Sequence, residues 1–190
     1  MKHITTLLIA FLLFARLQAQ DQDAITKDAN KYFNLLETKN VSASLDYLYP
    51  KLYSIVDREK VEATLKETFN DPTIDVSFSN LIVSKVSNTT QHEGVKYALV
   101  SYSYTMTMKP LDGMDKSMEK QLLQTYKTMF GNNNVVFDKK NKAFVISSIT
   151  SMYAIKAVDY NSWKFLENKK GMEQLLDNLM PADVVKALNN

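Results

Sequence analysis

A chain of 190 residues, 45% hydrophobic and 23% charged, can form one domain with its own core; a disordered or low-complexity chain is excluded. Cysteine is absent, so there is neither a disulfide framework nor a cysteine to carry a lipid. The formal net charge is only +2, and the bases are scattered apart from Lys139, Lys140 and Lys142 and the pair Lys169 and Lys170. Nucleic-acid binding, which needs a basic stripe to neutralise phosphates, drops out.

Lys2 and His3 precede an apolar run over residues 4–14, broken only by Thr5 and Thr6, and a small residue, Ala19, follows. This is the pattern of a secretory signal peptide, with cleavage expected after Ala19 and Gln20 as the first mature residue. The run is shorter than the ~20 residues that span a bilayer; an uncleaved anchor or an apolar helix of the domain is the alternative. Cleavage removes Lys2 and Arg16 and no acid, leaving as many bases as the 21 acids. The mature chain, residues 20–190, is expected as a single periplasmic or secreted domain with no membrane span.

Residues 23–39 carry Ile25, Ala29, Tyr32, Phe33 and Leu36 at helical spacing, with Asn40 as a stop. A short helix with Leu45, Leu48 and Tyr49 inward ends at Pro50. Asp57 caps a third helix that turns Val61, Leu65 and Phe69 inward. Residues 73–108 then alternate with a period of two and read as a long β-hairpin. Ile74, Val76, Phe78, Ile82 and Val86 share a face of the first arm, with Asn80 and Ser84 as interruptions. In the second arm Ala98, Val100, Tyr102, Tyr104, Met106 and Met108 share one face; Ser101, Ser103, Thr105 and Thr107 lie on the other.

A fourth helix is predicted over residues 116–130, with Met118, Leu122, Tyr126 and Met129 inward and Gly131 as its stop. Strands over 135–138, 143–157 and 163–167 follow, then a helix after Gly171 and another led by Pro181. Helices, hairpin, helix and further strands, without strand–helix alternation, make an α+β fold. The expected form is a curved antiparallel sheet with helices packed on one face and extra C-terminal helices.

The helical opening over 23–39, the Tyr47-Leu48-Tyr49-Pro50 element, the long strands to Met108 and the 159–165 segment with Trp163 together resemble the NTF2-like (SnoaL-like) superfamily, in the manner of uncharacterised secreted flavobacterial-type proteins. The resemblance covers most of the mature chain and implies helices leaning into a bent sheet to form a cone. The fourth helix and the C-terminal helices depart from the simple cone, and a cystatin-like sheet is the alternative. The superfamily hosts enzymes, binding proteins and dimerisation modules, so it selects no function, and no catalytic motif position carries over.

Chemistry must therefore come from the residues. His92, the one histidine after cleavage, is followed by Glu93 at the hairpin tip; an acid–base role is conceivable there, a solvated turn being the plainer reading. Asp75 lies within the first arm, opposite in phase to Ile74 and Val76, and would act as a base only if it faced an apolar cup. Met106, Met108, Met114 and Met118 are closely spaced, but core filling competes with soft-metal binding. Too few ligands exist for zinc, and no cofactor is implied. Tyr102, Tyr104, Met106 and Met108 are the expected lining of a cup for an apolar or amphipathic small ligand. The expectation is a non-enzymatic secreted domain binding such a ligand or a protein partner. The alternatives are a small acid–base enzyme of isomerase or hydrolase type, with its site in the cone, and an envelope interaction module that forms a homodimer.

Overall fold

The computed structural model describes residues 2–189, with side chains from residue 18 onward; the apolar run of the expected leader lies outside the described side chains. The chain is α+β. Helix α1 (Lys2–Glu37) is followed by a one-turn α2 (Val41–Ser44), two 3-10 turns (Leu45–Tyr47, Pro50–Ser54) and α3 (Arg58–Phe69). Strands β1 (Ile74–Val86), β2 (Thr90–His92) and β3 (Val95–Pro110) precede α4 (Lys116–Phe130). Then come β4 (Val135–Asp138), β5 (Ala143–Lys156), β6 (Lys164–Asn168), α5 (Glu173–Leu179) and α6 (Ala182–Asn189). One antiparallel sheet of six strands runs β1-β3-β5-β4, with β2 on β3 and β6 on β5.

Local chemistry sets the joints. Asp57 accepts hydrogen bonds from the N–H groups of Glu59 and Lys60 and starts α3; Asp115 does the same for α4 through Met118. Gly131, at φ 98°, ends α4 in a conformation that side chains resist.

Asn80 and Ser84, read as interruptions, mark two register shifts against β3, one between Ser79 and Ile82 and one between Val83 and Lys85. Each adds one residue to β1 and flips its phase. Ile82 therefore does not join the helix-bearing face. It is 58% exposed on the opposite side, while Leu81 and Val83 pack inward beneath α1 and Val86 returns to the inner face.

α1 lays Ile25, Ala29, Tyr32 and Phe33 on Ala98, Val100, Tyr102, Met152 and Phe165. α4 covers the other end of the same face, where Leu122, Leu123, Tyr126 and Phe130 meet Met106, Met108, Phe144 and Ile146. The expected α4 stripe is rotated, since Met118 and Met129 are exposed. Helices are not confined to one face: α5 and α6 bury Leu176, Leu179, Met180 and Val184 against Tyr97, Tyr153, Ile155 and Leu166 on the other. The physical cause is that β3 starts with apolar residues in both phases, Tyr97 and Leu99 beside Ala98 and Val100. The 3-10 segment closes the edge of β6, where the Tyr49 N–H donates to the Phe165 carbonyl at 2.9 Å.

Candidate functional site

The face beneath α1 is built around aromatic rings. Phe69, Phe78, Tyr104, Tyr102, Phe33 and Tyr32 follow one another with centroids 4.9–6.3 Å apart. Tyr32 stacks on Phe165 at 5.7 Å. Period-two placement on β3 and three- and four-residue spacing on α1 bring these rings to one layer. Glu167 lies at the end of that layer. It faces Met152 in the β5–β6 pairing and so shares the inner face.

Tyr102 is 5% exposed, and its hydroxyl donates to Glu167 Oε1 at 2.7 Å. Burial, reinforced by the Glu167 charge, pushes the Tyr102 hydroxyl far above the usual tyrosine range; the same two causes act on Tyr32. Tyr102 thus stays a donor. Glu167 Oε2 is buried without a hydrogen bond; Lys169 Nζ is 3.5 Å away, close enough for attraction but not in bonding geometry. Sequence reasoning missed Glu167. The signal was there: it stands two residues beyond Phe165, so the strand period turns both to the same side.

The expected cup is filled. Tyr102 is core, Tyr104 packs half-buried on the cluster beneath α1, and Met106 and Met108 are half-buried under α4. α4, which the cone picture left aside, occupies the wide end. Met114 joins that cluster while Met118 points to solvent, so the four methionines do not converge.

Asp75 is exposed and paired with Lys39 Nζ at 2.7 Å, so it is not a base in an apolar cup. His92 is more than a solvated turn residue. Its Nδ1 lies 3.0 Å from Asp183 Oδ2, tying the hairpin tip to the first turn of α6. Glu93 points outward, 4.0 Å from the ring. Burial opposes ionisation of Asp183, but the His92 bond and the Val184 N–H outweigh it and hold the carboxyl below the usual carboxylate range. What Asp183 contributes is therefore present above the ordinary carboxylate pKa and lost as pH falls through the lowered value. His92→Ala should lower the denaturant midpoint only slightly, as expected for loss of one accessible side-chain hydrogen bond. Loss of several kcal/mol would show that α6 docking depends on it. Asp75 and His92 sit at opposite ends of β3, opposite Lys109 and Val95, and cannot act on one substrate.

The other face of the sheet is bare beyond the reach of α5 and α6. Ile82, Ser103 and Ile149 form one row across three strands, and Ser77, Thr107, Val145 and Val136 form another. Ile149 is 79% exposed and Val136 58%. Among the described residues no three His, Cys, Asp or Glu side chains gather as metal ligands, and no described helix is long and apolar enough to cross a membrane. Comparison with family models, curated proteins and solved structures finds no match for this chain.

Proposed function

We propose that this chain is a secreted, non-enzymatic domain of NTF2-like type that works by binding a protein surface across the bare half of its sheet, a second copy of itself first of all. The observation that carries this is the exposed Ile82–Ser103–Ile149 row on a sheet whose helix-bearing face is already filled. Exposed apolar residues set in a polar surround mark interaction sites. The rows carry Ser, Thr, Ile and Val, while the charges of this face, Lys85, Asp75 and Lys109, lie towards its ends, so a two-fold pairing centred on the rows brings apolar and hydroxyl side chains together.

The NTF2-like reading is supported by the way its segments meet. Asp28 on α1 accepts from the Trp163 N–H at 3.1 Å, and Leu48 bridges to Phe165. The secretory reading has a consequence for maturation. Cleavage after Ala19 would remove Gln18, whose side-chain oxygen accepts from the N–H and hydroxyl of Thr89 at 2.8 and 2.9 Å. The Lys96–Asp21 pair, at 2.8 Å, and the Gln22 bond to Val86 would remain.

Sedimentation of the mature chain should show a concentration-dependent dimer, and Ile149→Lys should make it a monomer with an unchanged thermal midpoint. A wild-type protein that stays monomeric at high micromolar concentration would overturn the self-association reading.

A further inference from the structure

A separate feature lies at the other end of the molecule, at the start of α4. A cleft of about 520 Å³ opens between that helix and the β4–β5 turn. Lys116, Lys139 and Lys142 stand on its wall with a single carboxylate, Glu119, and Met114 and Phe137 supply apolar surface. Lys139 and Lys142 share the β4–β5 turn, and Lys116 joins them from the first turn of α4, which packs beside β4 and β5.

One carboxylate, Glu119, faces three ammonium groups there. None of the three forms an ion pair among the described residues. The neighbouring carboxylates are committed elsewhere. Asp138 accepts from the N–H groups of Lys140 and Asn141 and from the Asn141 side chain, holding its own turn. Asp115 caps α4 through the Met118 N–H. An ammonium cluster over a thioether and a phenyl ring is complementary to a molecule with a small anionic head and an apolar body.

We propose that this cleft binds an amphipathic anion, its carboxylate or phosphate head held by Lys116, Lys139 and Lys142 and its apolar part set against Met114 and Phe137. The site is independent of the bare sheet face and of what that face binds. Met114 and Phe137 belong to the cluster that α4 forms with Met106 and Met108, so a seated ligand would also brace α4 on the sheet.

The test is calorimetric titration of the mature chain with octyl phosphate and octanoate, with inorganic phosphate and octyl glucoside as partial ligands. Saturable binding of one or both anionic amphiphiles is expected, weakening at high salt, and at least tenfold tighter than either partial ligand. Whichever of the two binds more tightly names the head group. Lys139→Gln combined with Lys142→Asn should lower affinity at least tenfold; asparagine is chosen because Lys142 has φ 52° and asparagine tolerates that conformation. Glu119→Gln should raise affinity several-fold, a gain that an unfolded variant cannot mimic. Absence of saturable binding by both amphiphiles overturns the proposal. So does inorganic phosphate or octyl glucoside binding as tightly as they do, or an affinity indifferent to the lysine substitutions.

Discussion

Tyr102→Ala should destabilise the domain by about 3–5 kcal/mol in equilibrium unfolding, the range for deleting a large aromatic from a packed core. Its ring lies 4.9 Å from Phe33 and 6.3 Å from Tyr104, between α1 and the sheet, and no neighbouring element is free to collapse into the space. Tyr104→Ala, two residues along the same face, should cost only about 1 kcal/mol. Its side chain is half-buried, and its truncation opens to solvent instead of leaving a sealed void. This gradient along one strand discriminates between two pictures of the face. A uniform loss of several kcal/mol at Tyr102, Tyr104 and Met106 would mean that the packing is sealed throughout. Equal, small losses would restore an open cup.

The second large effect concerns Tyr102 and Glu167 as a pair. Tyr102→Phe keeps the ring and removes only the hydroxyl, leaving Glu167 Oε1 without its 2.7 Å donor beside an Oε2 that already has none. A cost of about 1–3 kcal/mol is expected, because the part-buried carboxylate loses a charge-assisted bond. Glu167→Leu should cost a similar amount through the orphaned Tyr102 hydroxyl, offset in part by removal of a carboxylate from a part-buried position. The double variant, Tyr102→Phe with Glu167→Leu, should return to within about 1 kcal/mol of the wild type, since neither polar group is then stranded. Simple additivity of the two single effects would show that the bond is not what couples them. Lys169 is half-exposed and adds little to either figure.

Glu167 also states what kind of site this face is. A part-buried carboxylate at the edge of the aromatic layer, bonded to one tyrosine, ties β6 to β3 across β5. Among the described residues its Oε2 is the one buried side-chain polar atom without a hydrogen bond.

Much of this architecture was legible from residue order because it rests on short-range physics. The period of two in β1 and β3, the 3.6-residue stripe of α1, the cap Asp57 and the stop at Gly131 each depend on neighbours within a turn or a pleat. These decided the helix, hairpin, helix and strand order and its α+β class. Even the bulges left a trace, as polar interruptions at Asn80 and Ser84. What the sequence did not determine depends on contacts between distant segments. The phase of Ile82 follows from register with β3, not from β1 alone. Both faces of the Tyr97–Val100 stretch are apolar, so only the return of α5 and α6 reveals that each is covered. His92 gained a role when Asp183, 91 residues on, arrived beside it. α4 and Met108 are adjacent in the chain, yet whether the helix lay away from the sheet or filled its wide end was a matter of tertiary packing. That packing closed the expected cup and left the opposite face bare beyond α5 and α6, because burying Met106, Met108 and Phe144 removes more apolar surface from water than leaving them open.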